Sequence, residues 1–194
     1  MLSTDTVSEA VERYRIRRLP NGLINRIAAG EVIERPASAV KELVENSIDA
    51  GATKIEIIMR DGGRTFISVT DNGCGMSKQD LVLSVERHAT SKLPTDNLDN
   101  ISTLGFRGEA LPSIGAVSKL TIKTRSKNMD TAWRIDVAGG DVEAAAPSSL
   151  KQGTQVEIRD LFYATPARLK FLKTDRTETG RTIDMIRRIA MVNP

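Results

Sequence analysis

The chain has 194 residues, 40% of them hydrophobic and 27% charged, which is typical of a globular protein with one good-sized core. Aromatic residues make up only 4%, so recognition of single-stranded nucleic acid by base stacking is disfavoured, and the single cysteine excludes an intramolecular disulfide. The net charge of +3 is compatible with a polyanionic partner but does not require one. No apolar run is long enough to span a membrane and the N-terminus lacks a signal-peptide core, so we expect a cytoplasmic location.

The N-terminal region divides into an arm and the start of a domain. Residues 1–15 are polar, mixed in charge and without periodicity, and we expect them to form an N-terminal arm. The domain is predicted to cover residues 16–194. Within it, residues 23–33 can form a short helix, with Gly30 as the expected break before the next helix.

The main helix is predicted over residues 36–50. Pro36 suits a first helical position, and Gly51 suits a left-handed C-terminal cap. One face is mostly apolar and consists of Val40, Leu43, Val44, Ser47 and Ile48. On the other face Glu42, Asn46 and Asp49 fall at i, i+4 and i+7 and form a polar stripe. This stripe is either a solvated surface or a site where a carboxylate orients water and an amide oxygen ligates magnesium.

A hairpin and a second helix are predicted next. Residues 54–59 and 65–70 alternate as strands around a turn at residues 61–63. The return strand leads into a loop, residues 71–76, that contains two closely spaced glycines. Ser77 is a good N-cap for a helix that runs to about residue 86.

The remainder is predicted as a long loop, a helix and further strands. Residues 87–103 have weak periodicity, and loops of this length are usually functional or disordered. A helix is opened by residues 105–111 and ends near Gly115. Further elements are predicted as strands over residues 120–125, 132–137, 142–145 and 154–159 and helices over residues 166–171 and 177–192. In the last helix, the residues predicted to point inward are Ile183, Ile186, Ile189 and Ala190.

This order of elements predicts an α+β fold, with helices layered on one face of a mixed, mainly antiparallel sheet. Strand and helix do not alternate, so a parallel dinucleotide-binding sheet is disfavoured. Three glycine-bearing segments, residues 71–76, 105–111 and 153–154, have the composition of phosphate-binding loops, although no P-loop motif is present. Asp71 ends a strand, where its carboxylate could accept a hydrogen bond from an adenine amino group.

These segments resemble, in this order, the four nucleotide-binding motifs of the GHKL ATPase superfamily. The superfamily includes gyrase B, Hsp90, histidine kinases and the MutL proteins. The strings that most closely resemble the N-terminal ATPase region of the MutL family of DNA mismatch repair proteins cover residues 27–32, 41–52, 87–92, 105–111 and 160–168. The resemblance extends from about residue 16 to the end of the chain.

The resemblance implies a GHKL, or Bergerat, ATP-binding fold with ATP and Mg2+ as cofactors. Glu42 would be the catalytic base that positions water, Asn46 the magnesium ligand, and Asp71 the residue that reads adenine. Residues 90–92 and 105–111 would form a lid over the phosphates. The other nucleotide-binding residues that it implies are Asp49, Ala50, Gly73, Gly75, Met76, Thr90, Ser91, Lys92, Gly105, Phe106, Arg107, Gly108, Glu109, Ala110, Leu111 and Thr154.

The resemblance also implies a role for the whole protein. ATP binding would order the lid and drive homodimerisation of N-terminal domains, coupling mismatch recognition to repair. The implied partners are DNA bound without sequence preference, the mismatch-recognition protein MutS, and a downstream nuclease or helicase; no membrane is implied. The location would be the bacterial cytoplasm, close to the nucleoid. Relatives continue into a second subdomain and a C-terminal dimerisation domain, so we expect a truncated chain with weak hydrolysis.

Two alternatives stay open, a DNA-associated scaffold that binds ATP without significant turnover and a different GHKL ATPase. His88 is expected to make a structural hydrogen bond, because Glu42 already fills the role of base. Cys74 is expected to be a small packing residue without a basic partner. Basic residues toward the C-terminus form either a solvated face or a phosphate-contacting patch for DNA, and they are Arg159, Arg168, Lys170, Lys173, Arg176, Arg181, Arg187 and Arg188.

Overall fold

One sheet lies at the centre of the part of the chain that the computed structural model describes, residues 16–92, 104–105 and 108–193. Its strands are β1 (Ile55–Arg60), β2 (Phe66–Asp71), β3 (Lys119–Arg125), β4 (Ala132–Ala138), β5 (Asp141–Val142), β6 (Ala146–Ser148) and β7 (Gly153–Arg159). They lie in the order β1-β2-β7-β3-β4-β5, and β6 also pairs with β4. All of these pairings are antiparallel. The predicted N-terminal arm lies outside the described residues.

The first two strands form the predicted hairpin. Ile55 pairs with Asp71, and Arg60 pairs with Phe66 at the closed end. The connection is a 3-10 turn over Asp61–Gly63, in which Gly62 has a φ of 64°. Because this left-handed conformation favours glycine, the turn residues themselves set the register of the hairpin.

The sheet has one apolar face and one polar face. Ile67, Ile158 and Leu120 are cross-strand neighbours on three adjacent strands, and all three side chains are buried. Glu157 and Thr121 are displaced by one residue from this row, so they lie on the opposite face and are partly exposed. A sheet of this kind is covered by helices on its apolar side only.

The helices of the described residues are α1 (Asn21–Val32), α2 (Pro36–Asp49), α3 (Lys78–Ser84), α4 (Ala110–Val117), α5 (Pro166–Leu169) and α6 (Asp175–Val192). Helix α2 packs on β2, α3 packs on β4, and α4 packs on β3, β4, α1 and α2. Their apolar side chains and the apolar sheet face form one core. The predicted α+β fold with one helical layer is therefore confirmed. Among the described helices, none combines the length and the apolar character that a membrane crossing needs.

Several predicted boundaries were wrong for identifiable reasons. Gly30 does not break α1, since it is buried within the helix, and a Cβ there would lie 2.5 Å from Arg168 Nη2. The glycine therefore serves close packing rather than a turn. Helix α4 begins only at Ala110, late in the segment 105–111 that was predicted to open it, and its end at Val117 agrees with the predicted end near Gly115. Residues 142–145 are not one strand, because β4 pairs with two short edge strands, and Pro147 is tolerated in the second of them.

The buried face of α6 also differs from the prediction. Ile183 is 43% exposed and Ala190 is exposed, so these two do not point inward. Ile186 and Ile189 do pack against the core. The fully buried positions are Glu178 and Thr182, polar residues that a search for apolar periodicity overlooks.

Candidate functional site

The apolar face of the sheet ends in a row of polar side chains. Asp71, Thr154 and Thr124 are cross-strand neighbours on β2, β7 and β3. They form the row that follows the last apolar row on the same face of the sheet. Ser47, on the C-terminal half of α2, reaches this row and hydrogen-bonds to Asp71. The site therefore lies where the polar end of the sheet meets the end of the main helix.

Asp71 is held by three hydrogen bonds from the protein. Its Oδ1 accepts from the Gly73 N–H at 2.9 Å and from the Thr154 N–H at 3.3 Å, and its Oδ2 accepts from the Ser47 hydroxyl at 3.1 Å. Burial raises the pKa of Asp71 above its ordinary value, although hydrogen bonds from Gly73, Ser47 and Thr154 oppose the shift. A carboxylate fixed in this way keeps one lone pair free of these bonds, on Oδ2, as an acceptor for a ligand amino group.

The loop from β2 to α3 is shaped by close backbone contacts. Gly75 has a φ of +66°, and a Cβ there would lie 2.1 Å from the Arg125 carbonyl oxygen. A Cβ at Gly73 would lie 2.8 Å from the Ala50 carbonyl oxygen. Both glycines are therefore required by the protein's own packing, in addition to the role in shaping the base pocket that the family resemblance implies for them. Cys74 is exposed, so its predicted packing role was wrong. Its backbone N–H donates to the Ala50 carbonyl oxygen at 2.9 Å, and its carbonyl oxygen accepts from the Lys127 N–H at 3.2 Å.

The polar stripe of α2 holds a cation at its C-terminal end. Lys92 Nζ lies 2.8 Å from Asn46 Oδ1 and 2.5 Å from Asp49 Oδ2. The N–H groups of Leu104 and Gly105 donate to the same Asp49 carboxylate at 3.1 and 3.3 Å. Segments on both sides of residues 93–103 are thus tied to the end of α2 by one carboxylate.

The side-chain oxygens at the end of α2 are of the kind that binds magnesium. The oxygens of Asn46 and Asp49 converge on one positive group, the Lys92 ammonium, and hard oxygen donors are those that Mg2+ prefers. The described residues contain no group of three or more His, Cys, Asp or Glu side chains able to form a metal cage. A magnesium ion at this position would therefore take few protein ligands and complete its shell with phosphate and water oxygens.

Glu42 lies one turn before Asn46 on α2. Its side chain is 29% exposed and lies 3.6 Å from Lys41 Nζ, which also binds Glu45 at 2.7 Å. Burial opposes the charge on Lys41, but the hydrogen bond to Glu45 and the nearby carboxylates together raise its pKa. Glu42 therefore faces a permanent cation on one side and remains open to solvent, as a group that positions water must be.

The segment before α4 packs against the end of the preceding described loop. Gly108 has a φ of +62°, and a Cβ there would lie 2.4 Å from the Ala89 carbonyl oxygen. Glu109 lies 3.5 Å from Arg87 Nη1 and 3.2 Å from Nδ1 of His88, whose side chain is exposed. The structural hydrogen bond expected of His88 stays a prediction. Of the other predicted lid residues, Thr90 and Ser91 are exposed, Ala110 and Leu111 begin α4, and Phe106 and Arg107 lie outside the described residues.

Three residues near Asp71 were missed by sequence reasoning. Ser47 is buried and contacts Asp71, but at helical spacing it was assigned to the apolar face. Thr124 is buried, and its hydroxyl meets both the Met76 N–H and the Thr154 hydroxyl. Gln152 donates to the Gly73 carbonyl oxygen at 3.2 Å. The contacts of Thr124 and Gln152 depend on strand register, for which the sequence carries no local signal.

The basic residues near the C-terminus are divided between elements. Arg159, on β7, binds Glu157 at 3.0 Å and lies over the ring of Phe66. Arg168, on α5, lies against Gly30 of α1, and Arg187, on α6, lies 3.7 Å from Asp184. Acidic and aromatic neighbours thus account for part of this charge.

The solved structures that share this fold include two of a MutL ATPase domain. The Aquifex aeolicus MutL ATPase domain complexed with ADP superposes with a TM-score of 0.70 and 36% identity, covering 84% of this chain and 57% of that one. The Aquifex aeolicus MutL ATPase domain with a K252N mutation superposes with a TM-score of 0.66 and 34% identity, covering 84% and 55%. The predicted resemblance to the N-terminal ATPase region of the MutL family is therefore confirmed in three dimensions.

Relatives and a family profile agree with this comparison. The DNA mismatch repair protein MutL of Azorhizobium caulinodans is 63% identical over 179 residues, and that of Paramagnetospirillum magneticum is 59% identical over the same length. Each alignment covers 92% of this chain, which spans only 29% and 30% of the two relatives. Since the profile of histidine kinase-, DNA gyrase B- and HSP90-like ATPases matches residues 33–160, the chain belongs to that ATPase family.

Proposed function

We propose that this chain binds ATP with Mg2+ at the junction of α2 and the polar end of the sheet, and hydrolyses it. The observation that carries the proposal is that α2 joins two complementary half-sites. Ser47 connects the helix to the Asp71 acceptor. Asn46, one residue before Ser47, and Asp49, two residues after it, both bind the Lys92 ammonium group. A nucleotide has the same polarity, with an amino-bearing base at one end and metal-bound phosphates at the other.

At the base end, Asp71 would accept a hydrogen bond from the adenine amino group. Gly73, Gly75 and Met76 would shape the pocket through their backbones, together with Thr154 and Ala50. This role requires the ionised carboxylate, because Oδ1 already accepts two N–H groups and Oδ2 accepts the Ser47 hydroxyl. A proton on Oδ2 would occupy the lone pair that the amino group needs. A guanine base would present a carbonyl oxygen to the same carboxylate, so discrimination against it is expected.

At the phosphate end, Asn46 would ligate Mg2+ and Glu42 would orient the attacking water. A bound Mg2+ would neutralise phosphate charge, which phosphoryl transfer requires more than covalent chemistry. Lys92 would turn from Asn46 and Asp49 toward the phosphates, and the backbone N–H of Gly105 would exchange the Asp49 carboxylate for a phosphate oxygen. Thr90, Ser91 and residues 105–111 would complete the lid.

The role proposed for the whole protein follows from its relatives. A chain so similar to the N-terminal part of MutL proteins would act in DNA mismatch repair, with ATP binding ordering the lid and promoting pairing of two ATPase domains. DNA bound without sequence preference, a MutS-type mismatch-recognition protein and a downstream nuclease or helicase are the partners that such a role requires. The corresponding location is the bacterial cytoplasm, at the nucleoid.

Separate measurements of binding and turnover test the active-site assignment. Glu42→Gln should preserve affinity for a non-hydrolysable ATP analogue and lower hydrolysis by about a hundredfold or more, because the water loses its base. Asn46→Ala should weaken binding of the analogue in the presence of Mg2+ but change it little in excess EDTA. Equilibrium dialysis and steady-state phosphate release provide the two readouts.

Glu45→Gln is the matched control, because Glu45 lies on the same helix and binds the same lysine as Glu42. It should leave both binding and turnover close to wild type. Equal loss of binding in the Glu42 and Asn46 variants would contradict the separate roles. Tight binding without any turnover in the wild-type chain would favour the scaffold alternative.

A further inference from the structure

Thr124 lies in the same cross-strand row as Asp71 and Thr154 but is fully buried. The residue has no exposed surface and is the direct cross-strand partner of Thr154. Its Oγ1 accepts from the Met76 N–H at 2.9 Å, and lies 3.2 Å from the Gly153 carbonyl oxygen and 3.1 Å from Thr154 Oγ1. One hydroxyl thus connects the β2–α3 loop with β7, the two segments that flank Asp71.

The hydrogens of these groups can be counted. A threonine hydroxyl has one hydrogen to donate and two lone pairs. The Met76 N–H takes one lone pair of Thr124, so the Thr124 hydrogen goes either to Gly153 or to Thr154. When it goes to Thr154, the Thr154 hydroxyl keeps its own hydrogen for a group outside the protein. When it goes to Gly153, the Thr154 hydroxyl donates to Thr124 instead. Thr124 therefore holds the Thr154 oxygen in both cases, and the direction of their shared bond determines whether Thr154 can donate into the pocket.

The edge of adenine next to its amino group requires such a donor. The amino group donates and the adjacent ring nitrogen, N1, accepts. Asp71 offers only acceptor oxygens when ionised, and the Thr154 N–H is already committed to Asp71 Oδ1. The Thr154 hydroxyl, on the same residue, is the neighbouring group able to donate.

We propose that Thr124 is a positioning residue for base recognition, which holds the Thr154 hydroxyl so that it donates to N1 of adenine. This inference rests on the proposed function, since it concerns the same pocket. It adds a residue that does not touch the nucleotide and on which recognition of the base depends.

The test compares ADP with its 1-deaza analogue, in which CH replaces N1. The wild-type chain should bind ADP more tightly, by about three- to tenfold, the value of one neutral hydrogen bond. Thr124→Val should weaken ADP binding and bring the ratio of the two affinities close to one. Thr124→Ser, which keeps the hydroxyl, should restore the wild-type ratio. Isothermal titration calorimetry of each variant with each ligand measures the affinities.

If Thr124 had a purely structural role, Thr124→Val would weaken the binding of ADP and of its 1-deaza analogue equally. The ratio of the two affinities therefore separates the two explanations. Thr182→Val is the matched control, because Thr182 is also buried and its hydroxyl donates to the Glu178 carbonyl oxygen at 3.0 Å, on α6. It should lower thermal stability and leave both affinities unchanged. If Thr124→Val does not fold, Thr124→Ala, which removes the same hydroxyl with less bulk, carries the same expectation.

The outcomes distinguish this inference from the function on which it rests. A wild-type chain that does not bind ADP overturns the proposed function itself. A wild-type chain that binds both ligands equally well, or a Thr124→Val variant that keeps the wild-type ratio, overturns the inference about Thr124 while the proposed function stands.

Discussion

At the scale of single residues, Asp71 shows how one carboxylate serves both the fold and the site. It ends β2, joins β7 through the Thr154 N–H, and closes the turn at Gly73. These bonds oppose the effect of burial but do not abolish it, so the pKa of Asp71 stays raised. The ionised side chain is therefore less favourable in the folded protein than in water.

Replacement of Asp71 by asparagine should separate stability from binding. The substitution keeps the shape of the side chain, and its amide oxygen can still accept from Gly73 and Thr154, although its amide nitrogen then faces Ser47 as a donor. Asp71→Asn should therefore retain or raise stability at pH 7. It should lower affinity for ADP at least about tenfold, because an amide donor then faces the amino group of adenine. Chemical unfolding and calorimetric titration measure the two effects.

The pH dependence of this change has a definite sign. The folded-state pKa of Asp71 lies above its ordinary value of 3.8, so the folded state binds the proton more tightly than the unfolded state does. Stability attributable to Asp71 is present below pH 3.8 and is lost as the pH rises through the raised pKa. The advantage of Asp71→Asn over wild type should therefore grow across that window and then level off. An advantage that shrinks with rising pH would contradict the assignment.

Asp136 supplies the opposite control. Burial alone would raise its pKa, but hydrogen bonds from Arg134 and Thr121 outweigh that effect and lower it. Its contribution to stability is present above pH 3.8 and is lost as the pH falls through the lowered pKa. Asp136→Asn should accordingly lose stability relative to wild type as the pH rises toward 3.8 and should leave ADP binding unchanged.

At the scale of elements, the turn of the first hairpin also provides the docking surface for α6. Gly62 has a φ of +64°, and a Cβ there would lie 2.8 Å from the Asp175 Cα. Arg64 and Asp175 form an ion pair across the same contact. The absence of a side chain at Gly62 therefore lets the N-terminus of α6 pack directly against the turn, which also reverses the chain.

Two alanine substitutions at glycines should have opposite effects on stability. Gly62→Ala should destabilise the protein by about 2–4 kcal/mol, since it combines left-handed strain with a backbone clash. Gly180→Ala should stabilise it by about 0.5–1 kcal/mol, because Gly180 is exposed within α6 and no atom of the described residues lies within 4 Å of a Cβ there. Urea unfolding of both variants gives the values. Similar effects at the two positions would refute the docking role of the turn.

Local signals in the sequence were sufficient for most elements and for the stripe on α2. Helical spacing alone brings Glu42, Asn46 and Asp49 together, and the glycine turn alone predicts the first hairpin. The sequence did not show which glycines are required by contacts with distant residues. Gly75 is fixed by a distant carbonyl oxygen, at Arg125, and Gly153 by the carbonyl oxygen of Asp71. Such needs arise from strand register and helix docking, which no single window of sequence encodes.

At the scale of the whole molecule, the proposed site exists only when distant segments meet. Ser47 and Asp71 are 24 residues apart, Asn46 and Lys92 are 46 apart, and Asp71 and Thr154 are 83 apart. The unfolded chain therefore has no comparable affinity for nucleotide. Since a ligand that binds only the folded state stabilises it by mass action, nucleotide affinity should be measurable as thermal stability.

ADP with Mg2+ should raise the melting temperature of the chain in proportion to the logarithm of its concentration. At a hundred times the dissociation constant, linkage predicts a gain of about 2.7 kcal/mol, which for a domain of this size is roughly 5–10 °C. Excess EDTA should reduce the shift in the wild-type chain but have little effect on Asn46→Ala, because that variant lacks the amide ligand. A guanosine nucleotide at the same concentration should produce a much smaller shift, since its carbonyl oxygen would face Asp71. If guanosine and adenosine nucleotides stabilise the chain equally, binding comes from the phosphates alone, and Asp71 does not read the base.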